Sequence, residues 1–327
     1  MTSPASAATA ASGPLRLFGR TLITDQPLPG LPVAPNADGG HFRVWTLQTD
    51  DSHSAAPGHR DGTTHLGATT WSSGITASLA AGTAGIEIVI SDTGRFTLQP
   101  DGVHLAHDAP HGVDRAAVAL DLIGTVLPYA LHVDGAWCVH ASAVQCAEGV
   151  IAFVAPRGTG KSTLAAACIV ERCALVADDV VVLRTHADAV RVTPAGVPLR
   201  LHERTASLVG ARGGVRDDWG KVRIDGAASV DELPLAAVYV LTAVEAAAPV
   251  ERVPRTVRAA SLALLTNGKI TELLGAAGAG EALARCTTLA AAGAVYDLGV
   301  PRDLDRLPDV VAALLGWHGG PPRGLAP

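Results

Sequence analysis

A segment near the middle of the chain has the residue types and spacing of a phosphate-binding loop. Its residues are Ala155, Pro156, Arg157, Gly158, Thr159, Gly160, Lys161, Ser162 and Thr163. Glycines let backbone N–H groups turn inward without a Cβ clash, and a following helix adds the positive end of its dipole. Lys161 would reach the outer phosphates of a nucleoside triphosphate, and the Ser162 hydroxyl would ligate Mg²⁺. The segment therefore predicts a site for a nucleoside triphosphate with Mg²⁺.

Such a loop must follow a strand and open a helix, and the sequence supplies both elements. The apolar run Gly149–Val154 precedes it, and the helix-forming run at residues 163–170 follows it. One position departs from the full pattern, because Ala155 stands where the first glycine is usual. A Cβ is tolerable there if φ is negative. The alternative is a glycine-rich turn before an ordinary amphipathic helix, but the flanking elements favour a phosphate loop.

Two adjacent carboxylates, Asp178 and Asp179, interrupt an apolar segment at residues 173–183. Strand propensity is high on both sides of the pair. Carboxylates at the end of a buried strand beside a phosphate loop can hold Mg²⁺ or take the proton from an attacking hydroxyl. The alternative is a solvated turn between two strands, since Asp is common in turns.

A histidine lies just upstream, in the alternating segment at residues 137–144. We expect this segment to be a strand that pairs with Gly149–Val154 as a hairpin through residues 145–148. His140 would then lie near the phosphate loop. Its role is catalytic or purely structural, and a lone histidine in a strand is more often structural.

These motifs, in this order, resemble the catalytic domain of HPr kinase/phosphorylase and its smaller relatives. The matching segments read H-A-S-A-V, G-V-I-A-F-V-A-P-R-G-T-G-K-S-T and A-L-V-A-D-D-V-V-V-L, within residues 132–183. The start of the chain, residues 18–31, is similar to HPr-kinase-related proteins found beside peptide-modifying gene sets. The resemblance implies an α/β fold, with a P-loop domain of the HPr kinase/phosphoenolpyruvate carboxykinase type behind a small β-rich N-terminal region.

The resemblance also implies roles for individual residues. Asp178 would be the general base for the acceptor hydroxyl, with His140 close by. Lys161 would act on the transferred phosphate, and the loop would hold ATP. Ser162 would ligate Mg²⁺, with Asp179 as a further metal partner.

Two departures from the family bear on the substrate. Arg157 stands where the family often has Ser, and the signature segment that supplies a metal-binding Glu is not recognisable. The nearest candidate, Glu203, has a different context. Both departures weaken the case for HPr as the substrate and for a reverse phosphorylase reaction.

Composition narrows the classes of function. The chain has 327 residues and a net charge of −6, so nothing indicates a nucleic-acid partner. Its five cysteines form no CxxC pair, which favours reduced, buried thiols in a cytoplasmic protein. We expect no membrane span, because the most apolar segment, residues 116–131, contains Asp121 and Pro128 and is a better buried helix.

The expected organisation has four parts: a disordered tail at residues 1–13, a β-rich accessory region ending in a helix at 14–131, a P-loop kinase-like domain at 132–315, and a tail at 316–327. A loop at residues 49–67 carries three histidines and is predicted to be solvated rather than a metal site. Residues 210–220 are predicted to be a mobile loop. Of the cations in or beside it, Lys221 and Arg223 are the best candidates to clamp phosphates.

The sequence as a whole predicts an ATP-dependent kinase that transfers the γ-phosphoryl group to a Ser/Thr-type hydroxyl of a peptide or small protein. The alternatives are a small-molecule alcohol kinase, a nucleotide-binding regulator without turnover, and a nucleoside triphosphate hydrolase. The sequence leaves the oligomeric state undecided, and the resemblance allows a homo-oligomer because members of that family often form rings or dimers.

Overall fold

The computed structural model describes residues 13–32, 43–55, 57–187, 189–210, 215–216, 221–224 and 231–322. Most of the predicted N-terminal tail lies outside these ranges, as do residues 323–327. The predicted mobile loop at 210–220 also lies largely outside them. The described chain is a mixed α/β protein with three sheets.

The first sheet has eight strands in the order β1-β2-β3-β8-β7-β6-β5-β4. They are β1 (Leu15–Leu17), β2 (Arg20–Thr24), β3 (Val44–His53), β4 (Thr64–Thr70), β5 (Thr76–Gly82), β6 (Gly85–Ile90), β7 (Gly94–Leu98) and β8 (His104–Pro110). Strand β3 pairs in parallel with β2 and β8, and the other pairs are antiparallel. The predicted strands near residues 41–48, 85–91 and 94–99 are confirmed within β3, β6 and β7.

The three-histidine loop is shorter than predicted. Strand β3 continues to His53, and β4 begins before His65, because both segments find strand partners in the sheet. His59 contacts the buried carboxylate of Glu87 at 3.3 Å and the Ser78 hydroxyl at 2.9 Å. The solvated-loop prediction is therefore wrong for His59, whereas His65 is exposed on β4. The described residues contain no cluster suited to a metal ion.

A mostly buried helical segment follows the first sheet. It consists of α1 (Arg115–Asp121), a π-helical stretch (Leu122–Val126) and α2 (Leu127–Val133). The Asp114 side chain caps α1 by accepting a hydrogen bond from the Ala116 N–H. Among the described residues this is the one helical segment long and apolar enough to cross a membrane, and 61% of its most apolar window is buried in the protein.

The second sheet carries the motifs that the sequence singles out. Its strands run in the order β12-β10-β11-β18-β14-β13-β9, with β20 beside the end of β18 and β19 on β20. The elements from here to the middle of the chain are β9 (Trp137–Val139), β10 (Ala141–Cys146), β11 (Gly149–Val154), α3 (Lys161–Val170), β12 (Ala174–Ala177), β13 (Val181–His186), β14 (Ala189–Thr193), β15 (Leu199–His202), α4 (Glu203–Leu208), β16 (Val215–Arg216) and β17 (Lys221–Ile224). Those of the C-terminal part are β18 (Leu233–Val244), β19 (Arg252–Pro254), α5 (Val257–Thr266), α6 (Gly275–Ala292), β20 (Val295–Pro301) and α7 (Leu307–Trp317).

The expected hairpin is confirmed for β10 and β11, which pair antiparallel across their full length. The expectation of one continuous strand over residues 137–144 is wrong. The strand breaks at His140, whose backbone N–H donates to the Asn267 carbonyl at 2.7 Å instead of to a neighbouring strand. Consequently β9 leaves β10 and pairs with β13.

A small third sheet has the order β15-β17-β16, and its buried residues belong to the same hydrophobic cluster as apolar residues of α3 and β11. Lys221 and Arg223 belong to β17, which pairs with β15, so both residues lie on a strand rather than on a mobile loop. Helix α4 follows β15 directly.

The C-terminal segment differs from the predicted tail where it is described. Gly316 and Trp317 end α7, and the next residue, His318, is buried. The His318 ring contacts the Tyr239 hydroxyl at 2.7 Å, and the Gly320 carbonyl accepts a hydrogen bond from the Ala147 N–H. These contacts fix the segment against the hairpin turn between β10 and β11.

Two hydrophobic clusters surround the second sheet. One is continuous with the first sheet and the helical segment, and it includes Trp45, Leu122 and Trp137. The other contains Leu164 of α3 and Val311 of α7 on the opposite face. The loop between β11 and α3 is therefore anchored at both ends by elements that pack in these clusters.

Candidate functional site

The glycine-rich loop, residues 155–160, connects the buried strand β11 to α3. Gly158 and Gly160 have φ values of +82° and +98°, in the left-handed region that favours glycine. A Cβ added at either one would meet nothing within 4 Å. Glycine is thus required here by backbone conformation, and the space above the loop is open.

Ala155, the residue that departs from the usual pattern, is fully buried in the core cluster beneath α3. It is not among the described residues with positive φ. Its methyl group therefore packs in the core without backbone strain, which is the condition under which alanine is tolerable at this position.

The loop ends at an uncapped helix N-terminus. Gly160 is the N-cap of α3, and it supplies no side-chain capping hydrogen bond to the backbone N–H groups of the first turn. Lys161 folds back over the loop, where its ammonium donates to the Ala155 carbonyl at 2.8 Å and to the Pro156 carbonyl at 3.3 Å. Burial lowers the pKa of Lys161, and the carboxylates of Asp179 and Asp178 partly offset this. Free backbone N–H groups and an ammonium group together suit an anion.

Asp178 lies at the end of β12, and its side chain is buried beside the start of α3. Its Oδ1 accepts hydrogen bonds from the Ser142 hydroxyl at 2.6 Å and from the Ser162 hydroxyl at 2.9 Å. The Arg200 backbone N–H donates to Oδ2 at 3.4 Å. Burial raises the pKa of Asp178, although the two hydroxyl donors lower it. A buried carboxyl group with a raised pKa accepts a proton more readily than an ordinary aspartate, as a general base must.

Asp179 points away from Asp178 and has different partners. Its φ is +67°, and its carboxylate lies 2.9 Å from the His140 ring Nδ1 and 2.9 Å from the Lys269 ammonium. Desolvation opposes its ionisation, but the charges of Lys269 and His140 dominate and hold the pKa of Asp179 well below its usual range. Asp179 is therefore an anion that contacts the Lys269 ammonium and the His140 ring.

The structure brings most of the predicted site residues together in one cleft, where they form two groups of contacts. Ser162 contacts Asp178 rather than Asp179, and His140 contacts Asp179 rather than Asp178. Pro156 and Thr159 close the loop, since the Thr159 hydroxyl donates to the Pro156 carbonyl at 2.8 Å.

Arg157, Gly158, Gly160, Lys161, Ser162 and Thr163 all line one cleft, together with His140 and both aspartates. The cleft has a volume of about 730 Å³. One wall comes from the N-terminal half, through Trp71, Asp121 and Ile123. Another comes from the third sheet, through Arg200, His202 and Lys221. An open cleft with charged groups on one side and apolar groups on another suits a ligand of mixed character.

Asp121 adds a carboxyl group to the apolar wall. It lies at the end of α1, where the Thr93 hydroxyl donates to its Oδ2 at 2.7 Å. Burial raises the pKa of Asp121 to about 6, against the lowering effect of the Thr93 hydrogen bond. Two titratable groups with raised pKa values, Asp121 and Asp178, thus line the same cleft.

Sequence reasoning gave no role to Ser142, Arg200, Asp121 or Lys269. A signal for Ser142 was present, because it follows His140 by two residues in an alternating segment next to the phosphate-loop motif. No local signal marks Lys269, which lies 90 residues beyond its partner Asp179.

No family model matches this sequence, and no curated protein matches it either. Among solved structures, the chain is similar to the Hpr(Ser) kinase/phosphatase from Coxiella burnetii, at 14% sequence identity and a TM-score of 0.31. The match covers 56% of this chain and 95% of that chain. This is a weak structural relation, and it says nothing about the chemistry of the cleft.

Proposed function

We propose that this protein is an ATP- and Mg²⁺-dependent kinase that phosphorylates a Ser/Thr-type hydroxyl of a peptide or small protein. One observation carries the proposal. The Ser162 hydroxyl, in the first turn of an uncapped helix behind a glycine-rich loop, lies 2.9 Å from the buried carboxyl group of Asp178. A phosphate-binding element and a candidate general base therefore meet at one point.

The residues present fit a nucleoside triphosphate with Mg²⁺. The loop glycines leave open space above the backbone, and the N-terminus of α3 has no side-chain cap to compete with a phosphate. The residues that would hold the triphosphate are Ala155, Pro156, Arg157, Gly158, Thr159, Gly160, Lys161, Ser162 and Thr163. Ser162 would be the Mg²⁺ ligand, with Asp179 as a further metal partner. Bound Mg²⁺ and ATP would supply the γ-phosphoryl group and neutralise its charge.

Lys161 would exchange its two carbonyl partners for the outer phosphates, because a charged acceptor forms a stronger hydrogen bond than a neutral carbonyl. The remaining loop residues would orient the phosphates through backbone N–H groups. Phosphoryl transfer depends mainly on such positioning and charge neutralisation.

Asp178 would take the proton of the acceptor hydroxyl while that oxygen forms its bond to the γ-phosphorus. In the same step the bond from this phosphorus to the bridging oxygen would break, and a nucleoside diphosphate would leave. A raised pKa helps Asp178 to accept the proton, provided that it is ionised when the acceptor binds. His140 would assist by holding Asp179, 2.9 Å away, in its left-handed conformation.

The buried Asp178 favours a kinase over a regulator that only binds nucleotide. Two serine hydroxyls and a backbone N–H converge on this carboxyl group, and a binding site alone does not require a buried proton acceptor. The apolar wall formed by Trp71 and Ile123 favours an acceptor with apolar groups over a water molecule alone. A peptide or small protein fits an open cleft, and the net charge of −6 argues against nucleic acid.

The test is transfer of label from γ-³²P-ATP in the presence of Mg²⁺ to peptides encoded beside the gene. We expect phosphoserine or phosphothreonine in one such peptide. Asp178→Asn should lower kcat by about 10²–10⁴-fold with nucleotide affinity nearly unchanged. Lys161→Ala should weaken nucleotide binding as well as turnover.

Three outcomes separate the alternatives. Release of free phosphate at the same rate with and without every peptide would indicate a hydrolase. Label on an added small alcohol but on no peptide would indicate a small-molecule kinase. Tight Mg²⁺-dependent ATP binding with no turnover under any condition would refute the kinase proposal and leave a regulator.

A further inference from the structure

All three lysines of this chain line the same cleft. The sequence has 25 basic Lys and Arg residues, and only Lys161, Lys221 and Lys269 are lysines. Every other such cation is an arginine, which carries a broad planar charge. An ammonium group is compact and can donate to a phosphate from any direction. Lys161 belongs to the proposed phosphate loop, but Lys269 has no role in the function proposed above.

Lys269 is presented by a turn that is firmly attached to the second sheet. Its backbone N–H donates to the Cys138 carbonyl at 2.9 Å, and the Asn267 carbonyl accepts from His140 at 2.7 Å. A Cβ added at Gly268 would lie 2.3 Å from the Trp137 ring. The turn therefore packs tightly against β9, and the same contacts that break the strand at His140 bring Lys269 to the cleft.

The Lys269 ammonium is held by the Asp179 carboxylate, whose other oxygen contacts the His140 ring. Asp179 Oδ2 lies 2.9 Å from Lys269 Nζ, and Oδ1 lies 2.9 Å from the His140 ring. The side chain of Lys269 is 15% exposed, so it is largely desolvated while still facing the cleft. One carboxylate is thus shared between the Lys269 ammonium and the His140 ring, and it fixes the position of Lys269 at the edge of the cleft.

Nearby charge and space also favour an anionic ligand. The Lys161 and Lys269 ammonium groups line the same cleft, and like charges in one cleft repel each other. Gly124 of the π-helical stretch leaves the approach open, since even an added Cβ would stay 3.8 Å from Lys269 Nζ. Two lysines that repel each other in one cleft are stabilised by a polyanion between them.

We propose that Lys269 is a second catalytic cation, which contacts the γ-phosphate of the bound nucleotide and is oriented for this by Asp179 and His140. The inference rests on the proposed kinase function and assigns a further residue to it. Lys161 then serves the loop side of the triphosphate, and Lys269 neutralises charge on the phosphoryl group that is transferred.

The first test uses an ATP acyl-phosphate, which acylates lysines that lie close to the terminal phosphate. The wild-type protein is incubated with this probe and Mg²⁺, with and without excess ATP, and the acylated lysines are mapped by mass spectrometry. We expect Lys269 to be acylated and to be protected by ATP. ATP-sensitive labelling of Lys161 or Lys221 without Lys269 would overturn the inference and retain the nucleotide site. No ATP-sensitive labelling of any lysine would refute the proposed function as well.

The second test compares ATP and ADP binding in Lys269→Gln, Lys269→Arg and Arg258→Gln. Arg258 is exposed on α5 and serves as a control for loss of one positive charge. We expect Lys269→Gln to weaken ATP binding about tenfold and to leave ADP binding unchanged, because ADP lacks the γ-phosphate. Its kcat should fall by about 10²-fold or more.

Lys269→Arg keeps the charge and should restore part of the preference for ATP over ADP. Arg258→Gln should behave as the wild type. Equal weakening of ATP and ADP by Lys269→Gln, with a lowered melting temperature, would show that Lys269 only holds the turn together and would overturn the inference.

Discussion

Replacing Asp121 by Asn should stabilise the protein at neutral pH. The pKa of Asp121 is raised from 3.8 to about 6 by burial, so the folded protein holds this proton more tightly than the unfolded chain. Stability from this group is fully present below pH 3.8 and is lost as the pH rises through about 6. A shift of this size corresponds to about 3 kcal/mol at neutral pH. Because Asp121 is only partly buried, we expect about 1–3 kcal/mol.

The asparagine carbonyl can still accept the Thr93 hydrogen bond, so the substitution removes the charge without removing this contact. The assay is urea or thermal unfolding of wild type and Asp121→Asn at a series of pH values. The stability advantage of the variant should be small at pH 3.5, grow between pH 4 and 6, and remain constant above pH 7. An advantage that does not depend on pH, or a variant less stable than wild type at pH 7, would refute the reasoning.

Three further predictions concern a residue that contacts Asp178, the turn that carries Lys269, and the buried cysteines. Ser142→Ala removes a donor that lowers the pKa of Asp178, so the acidic limb of the kcat/KM profile should move to higher pH, and an unmoved limb would contradict a proton-accepting role. Gly268→Ala should cost about 1–3 kcal/mol in urea unfolding, because the added methyl group overlaps the Trp137 ring; an unchanged midpoint would show that the turn adapts freely. Cys138 and Cys286 are free and buried, and burial raises the pKa of each to about 12, so a disulfide reagent should react with these two thiols only after unfolding. Fast reaction of Cys138 or Cys286 in the native protein would disprove this.

The parts of the site that sequence could predict are those that depend on neighbouring residues. Gly149–Val154, the glycine-rich loop and α3 follow one another directly, so local patterns indicate the strand, the turn and the helix. Asp178 comes one helix later at the end of a short apolar run. Because β12 returns beside β10, it brings this carboxyl group to Ser162.

The parts that sequence missed depend on contacts between distant segments. The strand break at His140 arises from a hydrogen bond to Asn267, and no pattern within residues 137–144 signals it. Lys269 reaches Asp179 only because its turn pairs with β9. In the sequence, Asp121 is only a charged residue within an apolar helix. Its position in the cleft depends on how that helix packs against the first two sheets.

The contacts of the two adjacent aspartates also could not be predicted from the local sequence. Asp178 and Asp179 differ in backbone conformation, because Asp179 has a positive φ and Asp178 does not. That difference sends Asp178 into the buried serine pair and Asp179 toward His140 and Lys269. Sequence indicates the two carboxylates, and the fold decides what each one contacts.

The central claim is that the glycine-rich loop and the start of α3 bind a nucleoside triphosphate. The most direct measurement is a calorimetric titration of the purified protein with ATP, with and without Mg²⁺, in wild type and Lys161→Ala. We predict saturable binding that requires Mg²⁺ and is at least about tenfold weaker in the variant. No binding by a folded wild-type protein, or equal affinity in the two proteins, would contradict the account.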